Sequence, residues 1–148
     1  MKPSKKCIKL FSLKKTQTNI ESGKITTSKD AEVCIRQFYG DDLGIYESFF
    51  IVLLNRANTV TGYAKISQGG ICGTVIDVLI IAKYAVESLA KSVILCHNHP
   101  SGNLIPSDAD KQMTYKVKDT LKLFDCTVLD HVVLTEKGYL SFADEGLI

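Results

Sequence analysis

The sequence predicts an α/β fold in which helices flank a mixed β-sheet. Short apolar runs typical of buried strands alternate with longer segments whose apolar residues recur at helical spacing. The predicted order is helix, hairpin, helix, strand, helix, hairpin, an order that places helices against the faces of a sheet. The chain has 148 residues, of which 45% are hydrophobic and 23% are charged. This length and hydrophobic content are sufficient to form one buried core. A single domain over residues 1–148 is therefore expected.

The charge and cysteine content limit the classes of partner and compartment. A net charge of +2 is too small to predict a nucleic-acid partner by itself. The basic N-terminal segment, residues 1–27, is expected to be a solvated arm, and contact with phosphate or with an acidic protein is the alternative. Five cysteines without a C-x-x-C pair argue against a disulfide framework and indicate a reducing cytoplasm.

The first predicted elements are a short strand and a helix. The run Ile8–Leu13 is a plausible strand. The helix is expected to begin with Ser28 as its N-cap, with Asp30 near the positive end of its dipole, and to end at Gly40. The residues expected on its inward face are Ala31, Cys34, Ile35 and Phe38.

A hairpin follows this helix. The run Tyr46–Leu54 is apolar on both faces apart from Glu47 and Ser48, which indicates an interior strand covered on two sides. Residues 55–58 then turn the chain into a second strand, residues 59–67.

The second helix is predicted from a capping pattern and an apolar stretch. After a loop containing Gly69, Gly70 and Gly73, Thr74 and Asp77 form a capping box for a helix that continues to about Ala90. Its polar residues occupy a narrow stripe, so the helix is predicted to be largely buried. Charged residues interrupt the stretch before the roughly 20 apolar residues that a bilayer requires, so no membrane partner is predicted.

A third core strand, Ser92–His97, is followed by a loop that its prolines and glycine make irregular. A third helix is expected to start near Ser107. Its predicted inward residues are Ala109, Met113, Val117, Leu121 and Phe124. Two final strands, Thr127–Leu134 and Tyr139–Phe142, flank a turn at residues 136–138.

The run from His97 to Asp110 predicts a metal site. Residues two apart on a strand project from the same face, so His97 and His99 can meet one cation. Asp110 can supply a third ligand, which leaves one of four tetrahedral positions for water. The alternative for Asp110 is structural, because Ser107-x-x-Asp110 is also a capping box, and the two roles compete for one carboxylate. Asp108 already places negative charge in this helical turn, which favours ligation by Asp110.

Three other side chains have a chemical and a structural interpretation. Glu47, at the entrance of an apolar strand, is the natural general base for an open metal site, and the alternative is an exposed edge residue. Cys96 is interpreted as a buried small side chain rather than a nucleophile, because it alternates with the histidine face. His131 is too distant in sequence to join the site by spacing alone and is interpreted as structural.

These residues resemble the JAMM motif of the JAB/MPN metalloprotease superfamily. The motif consists of His97-x-His99, seven residues, Ser107, two residues and Asp110, with Glu47 upstream. Within the superfamily the chain resembles the bacterial RadC branch from about Lys24 to its C-terminus. The runs responsible are His97-Asn98-His99-Pro100-Ser101-Gly102, Pro106-Ser107, Leu129-Asp130-His131 and Ser141-Phe142 before Glu145-Gly146-Leu147.

The resemblance implies a cytidine-deaminase-like JAB/MPN fold with a catalytic zinc ion. It assigns His97, His99 and Asp110 as zinc ligands, Glu47 as the group that activates water, and Ser107 as a stabiliser of the oxyanion. The implied reaction is hydrolysis of a peptide or isopeptide bond, with a peptide or protein as the substrate. For the oligomeric state, a monomer and a homodimer both stay open. Longer RadC proteins carry a helix-hairpin-helix module ahead of this part, and none is expected within these 148 residues.

Two rival functions stay open at this point. The first is a DNA repair or recombination accessory, which predicts affinity for DNA that falls steeply with salt. The second is a binding module that keeps the fold and the metal without turnover, a role in which Glu47 and Ser107 have no chemical purpose.

Overall fold

The computed structural model of the chain describes residues 8–69 and 75–148. Over these residues it confirms the predicted α/β fold, with three helices and a five-stranded mixed sheet. In chain order the elements are α1 (Ser28–Arg36), β1 (Ser48–Leu54), β2 (Val60–Gln68), α2 (Val78–Glu87), β3 (Ser92–Asn98), α3 (Asp108–Lys122), β4 (Thr127–Leu134) and β5 (Tyr139–Ser141).

The strands are arranged in the order β2-β1-β3-β4-β5. Strand β1 is antiparallel to both β2 and β3, and β4 is antiparallel to β5. Strands β3 and β4 are parallel, and α3 is the crossover that a parallel pair requires. The carboxyl end of β3 therefore lies beside the start of β1 and the carboxyl end of β4.

The central strand β3 divides the core into two layers. Val93 and Leu95 pack in a cluster with side chains of α2 and α3, whereas Ile94 and Cys96 pack on the opposite face with side chains of α1. Cys96 is fully buried, and burial raises the pKa of its thiol well above the usual value. This placement confirms the alternation predicted for the strand and the structural interpretation of Cys96.

The two ends of helix α1 differ from their predicted positions by one and by a few residues. Its N-cap is Thr27, not Ser28, because Thr27 has extended backbone angles and its side chain accepts a hydrogen bond from the Asp30 amide. Its last turn closes at Gln37, so the predicted end at Gly40 was wrong. The predicted inward residues Ala31, Cys34 and Ile35 are buried.

Helix α2 differs more from its prediction. Asp77 is its N-cap and accepts a hydrogen bond from the Leu79 amide, while Thr74, Gly70 and Gly73 lie outside the described residues. The helix ends at Glu87 rather than near Ala90, because Leu89 leaves the helical conformation with a φ of 55°.

The prediction that α2 is largely buried was wrong. Its buried residues are Ile81, Ala82 and Ala85, which face the sheet and α3. Other apolar side chains of the helix and of the residues just beyond its ends are exposed: Val75, Leu79, Ile80, Val86 and Leu89. A narrow polar stripe shows that a helix is apolar, but it does not show that a partner covers each apolar face.

Two further expectations were wrong, one about a strand at the start of the chain and one about the inward face of α3. Residues Ile8–Leu13 form no strand, and Ile8 is 99% exposed. The described segment before α1 pairs with the sheet only through an isolated bridge between Lys24 and Thr59, which lies well after these residues. Ala109 on α3 and Phe124, two residues after its end, are exposed rather than inward. Val117 and Leu121 are buried as predicted.

Within residues 8–69 and 75–148, no helix has the length and apolar character needed to cross a bilayer.

The cap of α1 predicts an acid-sensitive contribution to stability. Hydrogen bonds from Thr26 and Thr27 lower the pKa of Asp30 from 3.8 to about 2. A carboxyl whose pKa is lower in the folded protein stabilises the fold above its unfolded pKa, and this contribution is lost as the pH falls through the folded value. Asp30→Asn should therefore be less stable than the wild type at pH 6, with the difference shrinking between about pH 4 and pH 2.

Urea denaturation at constant ionic strength across this pH range measures the effect. A difference between Asp30→Asn and the wild type that stays constant from pH 6 to pH 2 contradicts the assignment.

Candidate metal centre

Three candidate ligands converge at the carboxyl end of β3. His97 is the penultimate residue of the strand and is 1% exposed. The amide of His99 donates to the Leu134 carbonyl at 2.8 Å, which continues the pairing with β4 by one residue. Asp110 approaches from the first turn of α3. One potential ligand atom from each of the three side chains lies within 4.8 Å of the others, so the group could hold a metal ion.

The separations between these atoms fit a small cation. The two Nε2 atoms of His97 and His99 are 2.9 Å apart. Asp110 Oδ1 lies 3.4 Å from His97 Nε2, and Asp110 Oδ2 lies 3.7 Å from His99 Nε2. Ligands on a tetrahedral zinc ion with bonds of about 2.0–2.1 Å are separated by about 3.3 Å. The donor set, two imidazole nitrogens and one carboxylate oxygen, also suits zinc.

The carboxylate of Asp110 is positioned for both roles that the sequence suggested. Its Oδ2 accepts hydrogen bonds of 2.7 Å from the Ser107 amide and from the Ser107 hydroxyl, while Ser107 Oγ accepts one from the Asp110 amide. Its Oδ1 is the oxygen nearest His97. The capping box and the approach to the histidines therefore do not exclude each other, because the two oxygens divide the roles.

The electrostatics of the site keep the carboxylate ionised. Burial raises the pKa of Asp110, but the adjacent imidazoles of His97 and His99 outweigh this effect and hold the pKa far below its usual range. The adjacent Asp110 carboxylate raises the pKa of His99, and burial opposes the rise. The His99 Nδ1–H group donates to the Asn103 carbonyl at 2.6 Å, which directs Nε2 toward the other two ligands.

Glu47 shares a cavity with two of these side chains. It lies immediately before β1 and is half-buried. The cavity measures about 230 Å³ and is lined by Glu47, Phe49, Ile76, His97, Ala109, Asp110 and Met113. The candidate base and two of the three candidate ligands, His97 and Asp110, thus face one space, although 50 residues separate Glu47 from His97 in the sequence.

Ser107 is the N-cap of α3 and is not among the residues that line this cavity. Its hydroxyl donates to Asp110, so its observed partner is the candidate ligand rather than the cavity.

Asn98 has a positioning role that sequence reasoning missed. It lies between the two histidines, is fully buried and points to the opposite face of β3. Its Oδ1 accepts from the Ser48 amide at 2.8 Å, and its Nδ2 donates to the carbonyls of Leu43 and Tyr46 at 2.6 and 2.7 Å. The side chain therefore attaches the segment that leads into Glu47 to the strand that carries the histidines.

His131 contacts the site directly, which its distance in sequence did not reveal. It is fully buried, and its Nε2 lies 2.7 Å from His97 Nδ1. Its Nδ1 lies 2.6 Å from Thr114 Oγ1. Burial, followed by the nearby His97, holds the pKa of His131 well below its usual value. The parallel register pairs Leu95 with His131, and this register brings the His131 imidazole beside His97.

Comparison with known proteins finds relatives over most of the chain. The family profile of the RadC-like JAB domain matches residues 25–147. A UPF0758 protein of Flavobacterium johnsoniae is 46% identical over 124 residues, which cover 84% of this chain and 53% of that protein. Its counterpart in Porphyromonas gingivalis is 40% identical over 103 residues, with coverages of 69% and 45%.

A third relative, a UPF0758 protein of Shewanella baltica, is 33% identical over 134 residues, with coverages of 89% and 58%. The chain thus spans about half the length of the curated relatives it matches. All the candidate ligands, together with Glu47 and Ser107, lie inside the matched range.

Removal of the Asn98 side chain should destabilise the protein. Asn98→Ala leaves the Ser48 amide and two carbonyls without the partners they have in the structure. Because each buried polar group left unsatisfied costs about 1–3 kcal/mol, the free energy of unfolding should fall by about 2–4 kcal/mol. Denaturation in urea measures this change.

Asn55→Ala is the matched control. Asn55 Oδ1 also accepts two backbone hydrogen bonds, from Ala57 and Thr59, but it is exposed, so water can replace it. Equal losses in the two variants would contradict the role assigned to Asn98.

Proposed function

The chain belongs to the RadC-like JAB domain family, and on this premise we propose that it is a zinc-dependent hydrolase that cleaves a peptide or isopeptide bond. The observation that supports the proposal most is the convergence of His97, His99 and Asp110 beside a cavity that Glu47 also lines. Three ligands leave a position open for a reacting group, and an acid faces that position.

In this proposal His97 and His99 bind the zinc ion through Nε2, and Asp110 binds it through a carboxylate oxygen. When bound, zinc supplies Lewis acidity that polarises a carbonyl group and lowers the pKa of a water molecule. Zinc is favoured over calcium and magnesium because the latter two prefer a shell of oxygen ligands.

Glu47 acts as the general base and then as the general acid. Its carboxylate takes a proton from the attacking water, whose oxygen forms a bond to the carbonyl carbon of the substrate. As the carbon–nitrogen bond breaks, the same proton passes to the leaving amine. The half-buried position of Glu47 beside the cavity supports this assignment.

Ser107 is assigned to stabilise the oxyanion through its hydroxyl group. In the structure this hydroxyl donates to Asp110 Oδ2, while the Ser107 amide donates to the same oxygen. Asp110 therefore keeps one capping hydrogen bond when the hydroxyl turns toward a substrate. The assignment requires only a rotation about the side-chain bond of Ser107.

The substrate in this proposal is a peptide or a protein, and the compartment is a reducing cytoplasm. The net charge of +2 gives little support for binding to nucleic acid through phosphate. Three cysteines in the described part of the chain, Cys34, Cys96 and Cys126, are buried free thiols, which agrees with a reducing environment.

The metal site predicts one tightly bound zinc ion per chain. Asp110→Asn should weaken zinc binding by more than the roughly 100-fold that loss of an outer hydrogen bond typically costs, because it removes a charged ligand. Isothermal titration calorimetry on protein stripped with a chelator measures the affinity.

Asp108→Asn is the matched control for Asp110→Asn. Asp108 lies in the same helical turn, but its side chain is 94% exposed. The zinc affinity of Asp108→Asn should equal that of the wild type. Equal weakening in both variants, or a wild type that binds no zinc, would contradict the proposed site.

The catalytic role of Glu47 predicts a loss of rate without a loss of metal. Glu47→Gln should slow hydrolysis by at least about 100-fold, since a positioned general base contributes about 10²–10⁴-fold, while zinc affinity stays close to that of the wild type. A proteome-derived peptide library and a panel of isopeptides linked through the lysine Nζ atom, both read by mass spectrometry, supply the substrates.

Glu87→Gln, at an exposed carboxylate of α2, is the control and should cleave like the wild type. Undiminished cleavage by Glu47→Gln would overturn the mechanism, and a zinc-loaded wild type that cleaves nothing in either panel would count against the hydrolase.

A further inference from the structure

A continuous series of buried hydrogen bonds connects α3 to the far side of the His97 ring. Thr114 Oγ1 lies 2.6 Å from the Asp110 carbonyl and 2.6 Å from His131 Nδ1. His131 Nε2 lies 2.7 Å from His97 Nδ1. Thr114 and His131 are fully buried, and His97 is 1% exposed. We call Thr114 and His131 together the tautomer relay.

The Asp110 carbonyl determines which atoms donate in this series of hydrogen bonds. A carbonyl oxygen only accepts, so the Thr114 hydroxyl donates to the Asp110 carbonyl and must accept from His131 Nδ1–H. A neutral imidazole has one N–H group, which leaves His131 Nε2 as an acceptor. His97 then donates from Nδ1, and its Nε2 carries a lone pair. The Asn103 carbonyl accepts from His99 Nδ1–H, so the lone pair of His97 Nε2 faces that of His99 Nε2 at 2.9 Å, as in two ligands of one cation.

The opposite direction would be incompatible with metal binding. If Thr114 donated to His131 Nδ1, then His131 would donate from Nε2 to His97 Nδ1. His97 would carry its proton on Nε2, the atom that faces Asp110 and His99. A ligand nitrogen must be unprotonated to bind a metal.

We infer that Thr114 and His131 are positioning residues that fix His97 in the Nδ1–H tautomer and so prepare its Nε2 for the metal. The inference rests on the proposed metal site. His99 needs no such relay, because the Asn103 carbonyl accepts from its Nδ1 directly. His97 has a histidine as its partner, and a histidine has two tautomers of its own, so a further group must select one of them.

The packing around His131 keeps the relay in this orientation. The His131 ring lies against Phe142, with ring centroids 4.6 Å apart, and against Phe49 at 5.6 Å. These contacts limit rotation of the ring. Thr114 lies one helical turn after Asp110, so one helix supplies both a candidate ligand and the hydroxyl that sets the tautomer of a second ligand.

The test reads the tautomers directly and does not depend on hydrolysis. Long-range ¹H–¹⁵N NMR spectra of protein labelled on histidine should be recorded at pH 8.5, with and without zinc. In both spectra we expect His131 and His97 to carry their protons on Nδ1. Protons on Nε2 of His131 and His97 in the wild type would overturn the inference, even in a protein that binds zinc.

Thr114→Val removes the hydroxyl while keeping the shape of the side chain. We expect a mixture of tautomers at His131 and His97, and zinc affinity reduced by roughly 10–100-fold, as is typical when an outer partner of a metal ligand is lost. Thr114→Ser should restore both properties. Unchanged tautomers and affinity in Thr114→Val would overturn the inference.

Thr120→Val is the matched control. Thr120 lies on the same helix, and its hydroxyl also donates to the carbonyl four residues earlier, that of Lys116, at 2.8 Å. Thr120→Val should leave the zinc affinity unchanged. A loss of affinity equal to that in Thr114→Val would overturn the role assigned to the tautomer relay. A wild type with the expected tautomers but no hydrolytic activity would count against the proposed function alone.

Discussion

The site depends on the partly buried negative charge of Asp110. Burial disfavours an ionised carboxylate, so the folded chain must supply partners for it. Ser107 supplies two hydrogen bonds to Oδ2, and the histidines lie on the other side. The same carboxylate caps α3 and therefore fixes where this helix begins relative to the end of β3. The position of the helix and the chemistry of the site cannot vary independently, because both use this one group.

The strand order explains how distant residues reach this charge. Strand β1 runs antiparallel to β3, so its first residues lie beside the last residues of β3, and Phe49 pairs with His97. Glu47 arrives at the histidines for this reason. Strand β4 runs parallel to β3, and its register places His131 beside Leu95, within reach of the His97 ring. One strand with an antiparallel and a parallel neighbour thus collects side chains from three parts of the chain.

The sequence predicted features that depend on local pattern and missed those that depend on register or on missing neighbours. Alternation placed His97 and Cys96 on opposite faces, and turn residues bounded β4 correctly. No local pattern shows that His131 pairs beside His97, because that contact follows from the parallel register. The exposed apolar face of α2 and the unpaired run at Ile8–Leu13 show the same limit. Apolar periodicity predicts that a face can be buried, but burial also requires a neighbour.

Each candidate ligand is oriented by a different kind of support. A backbone carbonyl orients His99, a buried imidazole orients His97, and the capping box of α3 orients Asp110. These supports are hydrogen bonds within the protein, so the ligand atoms lie close together before any cation binds. Such preorganisation reduces the conformational entropy that binding would otherwise cost. Asn98 extends this rigidity to the segment that leads into Glu47, because it bonds that segment to the strand between the two histidines. The fold therefore holds a candidate base and three candidate ligands in one arrangement, and a substrate meets a site that is already assembled.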